Sequence, residues 1–235
     1  MCGRFAQPRS AEELARIFHA RPAADVPGDR FNVAPTDEVA AVVEHHGERT
    51  VDAFRWGMVP FFADSAKGAA RLINARSETV ETSPAFRSAY ARRRCIIPAD
   101  AFYEWRRERD PVSGRVIRSH PFAVRRTDGE PLAFAGLWSI WRNPDTAARL
   151  YTCSILTTDP NELVARIHDR MPVVLDATDW DAWLNEATPP AELRSLLRPA
   201  PAESLDAYAV SPAVNNVRSE GAELLAPLSR WSDGL

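Results

Sequence analysis

The chain has 235 residues, 45% of them hydrophobic and 26% charged, which is the composition of an ordinary soluble globular protein with one substantial core. No apolar run approaches the roughly 18 residues of a membrane helix. The formal charge of −3 excludes a generally basic coat, so any nucleic-acid contact has to come from a local cleft. Taken in order, the chain opens with Met1-Cys2-Gly3-Arg4, where small residues behind the initiator favour its removal. Removal leaves Cys2 with a free α-amine of pKa about 7.7–8.0 and a thiol of about 8.5, so a usable fraction of each is deprotonated at neutral pH. Such an aminothiol condenses with an aldehyde to a Schiff base, and the thiol then closes a five-membered thiazolidine on the same carbon. A small residue at a frayed terminus is the plainer reading.

Ser10-Ala11-Glu12-Glu13 is a capping box, and Leu14, Ile17 and Phe18 follow at helical spacing. Pro22, Pro27 and Gly28 break the pattern before Phe31–Thr36. Val39 to Val43 and Val51 to Trp56 read as strands joined at His45-His46-Gly47, a hairpin. Trp56–Phe62 is an aromatic loop whose rings serve either as core plugs or as stacking surfaces worth about 1–3 kcal/mol per base. Leu72–Thr79 is a strand running out into Asn74, Arg76, Ser77 and Glu78. Ser83-Pro84 opens a helix carrying Phe86 and Tyr90, ended by Arg92-Arg93-Arg94 as solvated charge.

Cys95–Pro98 is an apolar strand leading to Glu104, which lies among Phe102, Tyr103 and Trp105. Desolvation there raises a carboxyl's pKa and makes it a general acid; a carboxylate on the exposed face of a strand reads the same. Arg106 to Ser119 is a hairpin excursion, and strands follow at Pro121–Val124, Leu132–Trp138 and Leu150–Thr157. Asp159-Pro160-Asn161-Glu162 starts a helix through Leu163, Val164 and Ile167, with His168 at its end before the strand Val173–Leu175. A histidine between a helix end and a strand suits proton transfer, or is structural. A helix from Thr178 carries Trp180, Trp183 and Leu184, and the proline-rich 188–201 stretch with a short helix through Leu193 and Leu196 is a surface connection. Val214–Val217 and Gly221–Leu225 read as a final strand or loop. Three unevenly spaced cysteines and the absence of a leader pattern predict a reducing cytoplasm. The five histidines show no zinc-like spacing, so no metal or cofactor is expected.

Met1–Phe5, Asn32-Val33-Ala34-Pro35, Trp56–Pro60, Ile73–Thr79, Phe102–Trp105 and His168–Pro172, all in order, closely resemble the SRAP family of SOS-response-associated peptidases, now understood as abasic-site processing proteins. The resemblance implies a single α+β domain over 2–226, with a mixed, mostly antiparallel, partly closed β core, flanking helices and a tail at 227–235. It implies a groove for single-stranded DNA carrying an abasic site, with strand junctions as a further substrate, in a monomer that is nucleoid-associated when DNA-bound. Cys2 would form the thiazolidine with the ring-opened sugar, Asn74 would orient the Cys2 amine or the sugar, Glu104 would help open the ring, and His168 would assist proton transfers. Arg4, Arg76 and Arg170 would hold phosphates, while Asn32, Pro35, Trp56, Phe62, Ser77 and Trp105 would shape the groove or stack on bases. Phe62 stands where the family often has tryptophan, so stacking there is expected to be weaker or differently placed. Weak lyase cleavage and self-removal of Met1 are further expectations. Two other readings stay open at this level: an N-terminal-nucleophile cysteine peptidase, with His168 as base and Asn74 on the oxyanion, and a non-covalent single-strand binding module.

Overall fold

Runs of β-branched and aromatic residues dominate the chain, and they pair into two sheets. The structure, a computed structural model, describes residues 2–228; Met1 with its expected removal, and the tail from position 229 on, lie outside the described residues. In chain order the elements are β1 (Phe5–Gln7), α1 (Ala11–Ile17), β2 (Arg21–Pro22), β3 (Arg30–Val33), β4 (Glu38–His45), β5 (Glu48–Trp56), β6 (Asn74–Arg76), α2 (Arg87–Arg92), β7 (Arg94–Ala99), β8 (Ala101–Arg109), β9 (Val116–Arg126), β10 (Leu132–Arg142), β11 (Arg149–Thr158), β12 (Met171–Pro172), α3 (Trp180–Leu184), α4 (Pro190–Leu196) and β13 (Leu205–Ala209).

Strands β5, β4, β7, β10 and β11 follow one another, and a parallel pairing of Thr152 with Arg55 and Cys153 with Trp56 joins β11 back to β5. That pairing closes a five-stranded barrel, which removes its sheet edges. The second sheet is open, in the order β13-β9-β8-β1-β3. The fold is therefore α+β, mixed and mostly antiparallel, with one closed and one open layer. Side-chain alternation divides the core: Val39, Ala41 and Val43 of β4 join Phe5, Phe102, Phe122 and Phe134 in a cluster shared by the two layers. Ala40 and Val42 face the other way, toward Leu14, Tyr90, Trp183 and Leu193 from the four helices. Each large side chain so buried contributes roughly 1.5–3 kcal/mol. Gly136 of β10 is required by this packing, since a Cβ there would stand 2.8 Å from the Cys95 sulfur.

Helix α1 has the expected capping box, with Ser10 and Glu13 each bonding the other's backbone. The hairpins at β4–β5 and β8–β9 lie where the sequence puts them. Other expectations are corrected. The helix expected from Ser83 begins only at Arg87, after a run of turns. The helix expected after Asp159 is a single 3₁₀ turn, Val164–Arg166: Asn161 Oδ1 caps it by accepting the Val164 N–H at 2.9 Å, but β12 then pairs with Thr157 and Thr158 and returns the chain to β11. Arg94 is not solvated: it is 3% exposed and donates to the carbonyls of Tyr90, Ala91, Trp183 and Asn185. Residues 214–217 and 221–225 belong to 3₁₀ turns and loop, while β13 was not foreseen. No helix among the described residues is long and apolar enough to cross a membrane.

Candidate functional site

The site forms where the amino-terminal residues pass between the two layers. Phe5 pairs with Phe102 on one side and Val33 on the other, which locks β1 into the open sheet and draws Cys2 into the shared core. Cys2 is 0% exposed. The parallel register of β6 on β11, Asn74 opposite Ile155, sets the Asn74 side chain beside it, and Asn74 Nδ2 donates to the Cys2 carbonyl at 2.8 Å. Asn74 Oδ1 is buried and accepts no hydrogen bond among the described residues. That leaves one acceptor at the centre for an incoming donor.

Glu104 arrives by strand alternation, two residues beyond Phe102 on the same face of β8. It is 3% exposed, and burial pushes its carboxyl up to about 7. Burial, then the nearby Glu104 charge, pushes the Cys2 thiol well above the ordinary thiol range. This corrects the expectation of a readily ionised thiol: the thiolate needs a proton acceptor at the moment of reaction. His168 lies just before β12, with Nε2 at 3.9 Å from Glu104 Oε2. Burial lowers its pKa, so the imidazole is neutral at pH 7. Its Nδ1 accepts the Arg170 N–H at 3.0 Å, although Asp169 Oδ1 also lies 3.0 Å from that nitrogen. The result is a carboxyl raised by burial beside an imidazole lowered by burial.

Glu104 and His168 open into a cleft of about 490 Å³ lined also by Arg76, Trp105, Arg107, Ser119, Asp169 and Arg170, with Cys2 and Asn74 behind that lining. Arg76 is exposed at its rim. Arg170 is bound to Glu78, to Asp159 at 2.9 Å and to the Thr157 carbonyl at 2.7 Å, so a phosphate would have to compete for it. Trp105 is held by its Nε1, which donates to Asn215 Oδ1 at 2.7 Å.

Several sequence-predicted contacts lie elsewhere. Arg4 is 8% exposed and turns inward, bonding Asn32 Oδ1 and the Val214 carbonyl. Asn32 is 0% exposed and donates to the carbonyls of Asn216 and Ser219. Together they pin the loop whose Asn215 holds Trp105. Pro35 is the corner of the Ala34–Asp37 turn, followed by Thr36 with φ of +80°. Trp56 is a core plug, 0% exposed, with Nε1 on the Ile73 carbonyl and its ring 5.0 Å from Phe5. The loop's exposed rings are Phe61 and Phe62, at 57% and 56%, outside the cleft lining. Ser77 lines a neighbouring hollow with Glu78 and Glu81. Arg107, Ser119 and Asp169 were missed. Period-two spacing from Trp105 points to Arg107, whereas Ser119 is brought opposite Arg107 only by the β8–β9 register.

Fold and site together define an α+β protein built around a cysteine at its amino-terminal end. The chain matches the family described as SOS response associated peptidase (SRAP) over residues 1–217, and it belongs to that family. It is 38% identical over 229 residues to the abasic site processing protein YoqW of Bacillus subtilis, covering 96% of this chain and 99% of that protein. It is 32% identical over 236 residues to the abasic site processing protein YedK of Escherichia coli, covering 97% and 100%. A crystal structure of a protein from Bacteroides thetaiotaomicron superposes with a TM-score of 0.85 at 26% identity, covering 97% of this chain and all of that one.

Proposed function

We propose that the protein processes abasic sites, and that it does so by capturing the lesion covalently in single-stranded DNA through Cys2. The observation that carries this reading is the burial of Cys2 beside the Asn74 amide and near Glu104, the residue that lines the cleft. Once Met1 is gone, the Cys2 amine adds to the open-chain aldehyde, and loss of one water gives the Schiff base. The thiol then adds to the same carbon, giving up its proton to the Glu104 carboxylate, and the ring closes. Glu104, near half-protonation at pH 7, serves as acid for opening the sugar and as base for the thiol. His168, with Nε2 3.9 Å from Glu104 Oε2, assists the proton transfers, and Asn74 Oδ1 accepts from the amine or a sugar hydroxyl.

A thiol raised by burial is a poor opening nucleophile for an amide, which supports aldehyde capture over peptide hydrolysis. Closure on an iminium carbon asks less of it, because the electrophile is stronger and the proton acceptor adjacent. The test is a denaturing gel of purified protein with single-stranded DNA carrying one abasic site, alongside the intact mass of the protein. A shifted band that survives denaturation, is trapped early by borohydride and vanishes with Cys2→Ala supports the reading. Processed protein that gives no adduct overturns it.

A further inference from the structure

The hairpin formed by the outer halves of β8 and β9 projects from the open sheet, and its residues 111–119 are exposed. Val112 stands at 94% exposure and Ile117 at 55%, and the two strands are joined only by their own ladder from Arg106 opposite His120 outward. Two-stranded ribbons are marginal alone. This one has a fixed tip, because Asp110 Oδ1 accepts from the Val112 and Ser113 N–H groups and from the Ser113 hydroxyl, and Arg109 donates to the Gly114 carbonyl.

The arm carries Arg106, Arg107, Arg109, Arg115 and Arg118 against Glu108 and Asp110, a local excess of positive charge in a chain whose total is −3. Elsewhere arginines such as Arg30, Arg49, Arg126, Arg170 and Arg198 are tied to carboxylates. Among the described residues, Arg107, Arg109, Arg115 and Arg118 make no ion pair; Glu108 faces His120 instead, at 3.5 Å, and Asp110 is consumed by the turn. The same strand bears Glu104 and Trp105, and Arg107 and Ser119 belong to the cleft wall, so the arm continues the site.

We propose that this hairpin is a second phosphate-binding element, along which the DNA strand runs after leaving the cleft. The inference rests on the reading above for the identity of the strand. From Glu104 to Asp110 the ribbon extends about 20 Å at about 3.3 Å per residue, the length of about six stacked nucleotides at 3.4 Å each. Arginine forks suit phosphate oxygens on either side of such a ribbon, and the exposed Val112 and Ile117 give bases an apolar surface near the tip.

The probes are oligodeoxythymidines of about 5 and about 15 nucleotides, the first filling the cleft alone and the second reaching the arm. Affinity is read by fluorescence anisotropy over a salt series, for the wild type and for R109A/R115A/R118A. The wild type is expected to bind the longer strand about tenfold more tightly, and the triple variant to lose that gain together with a salt slope of about 2, at roughly 0.7 per phosphate. A triple lysine variant is expected to keep most of it, which separates charge from packing, and matched melting curves show that the arm alone has changed. An undiminished length gain in the alanine variant overturns the proposal. So does a concentration-dependent dimer in the wild type that the alanine variant abolishes, since the arm then serves a second copy of the chain. Crosslinking of a short strand carrying an abasic site is followed in parallel: its absence in both proteins defeats the covalent reading and leaves the arm to be judged on the length gain.

Discussion

Two buried polar clusters, both assembled from motif residues, have opposite characters. Arg4 and Asn32 are closed in on one another and on the carbonyls of the 214–219 loop, so most of their polar atoms are satisfied inside the fold, though Arg4 Nε has no partner among the described residues. Glu104 is as deeply buried and His168 less so, and both face a cleft. Burial alone does not mark a reacting group. What separates the two clusters is that the second opens to a cleft and the first is turned onto loop carbonyls, while the link through Asn215 to Trp105 ties the first to the cleft wall.

The comparison is open to attack at several points. Glu104→Gln is expected to slow covalent capture by about 10²- to 10⁴-fold, the contribution of one general acid–base group, while leaving affinity for intact single-stranded DNA within twofold. A gel time course against an anisotropy titration reads both, and equal losses would make Glu104 structural. Arg4→Ala is expected to cost about 3 kcal/mol in urea unfolding, because it strands the Asn32 amide oxygen and leaves the Val214 carbonyl only the longer bond from Asn32 Nδ2. Capture per folded molecule should hardly change; a loss on the scale of the Glu104 variant would place Arg4 in the chemistry.

The pH dependence of stability sharpens the contrast. Folding raises the Glu104 carboxyl from 4.5 to about 7, so the stability it contributes is full below pH 4.5 and is lost as pH rises through about 7. His168, lowered by folding, works against this below its ordinary 6.5. The difference between wild type and Glu104→Gln isolates the carboxyl, and it should shift by on the order of 3 kcal/mol between about pH 4 and pH 8, the wild type gaining in acid. A flat difference would mean an ordinary, solvated carboxylate. The smallest effect belongs to Glu78→Gln, which frees Arg170 from one of its carboxylates. DNA affinity should rise a few-fold, within the roughly 1 kcal/mol typical of an exposed ion pair, and no change would show that Arg170 stays committed to Asp159 and the Thr157 carbonyl.

Much of this architecture could be read before any coordinates. The α1 capping box, the β4–β5 and β8–β9 hairpins and the long β10 and β11 strands follow from local signals, because capping and alternation act within a few residues. The failures share a cause. Asp159-Pro160 signals a helix as strongly as Ser10 does, but pairing of β12 with β11 bends the chain back after a single turn. Arg94 looks like surface charge until four carbonyls from two elements converge on it. Trp56 and Phe62 are alike as loop aromatics, and only the barrel's closure against Cys153 puts one in the core and leaves the other outside.

The sequence by itself determined the reactive inventory, namely a cysteine at position 2, an amide, a carboxylate among aromatics and a histidine in a fixed order, because those are facts of residue type and spacing. Which of them meet, which arginines face solvent and what proton affinity each acid holds were decided by tertiary structure alone. Desolvation and hydrogen-bond satisfaction depend on neighbours contributed by distant strands, and no local pattern encodes them.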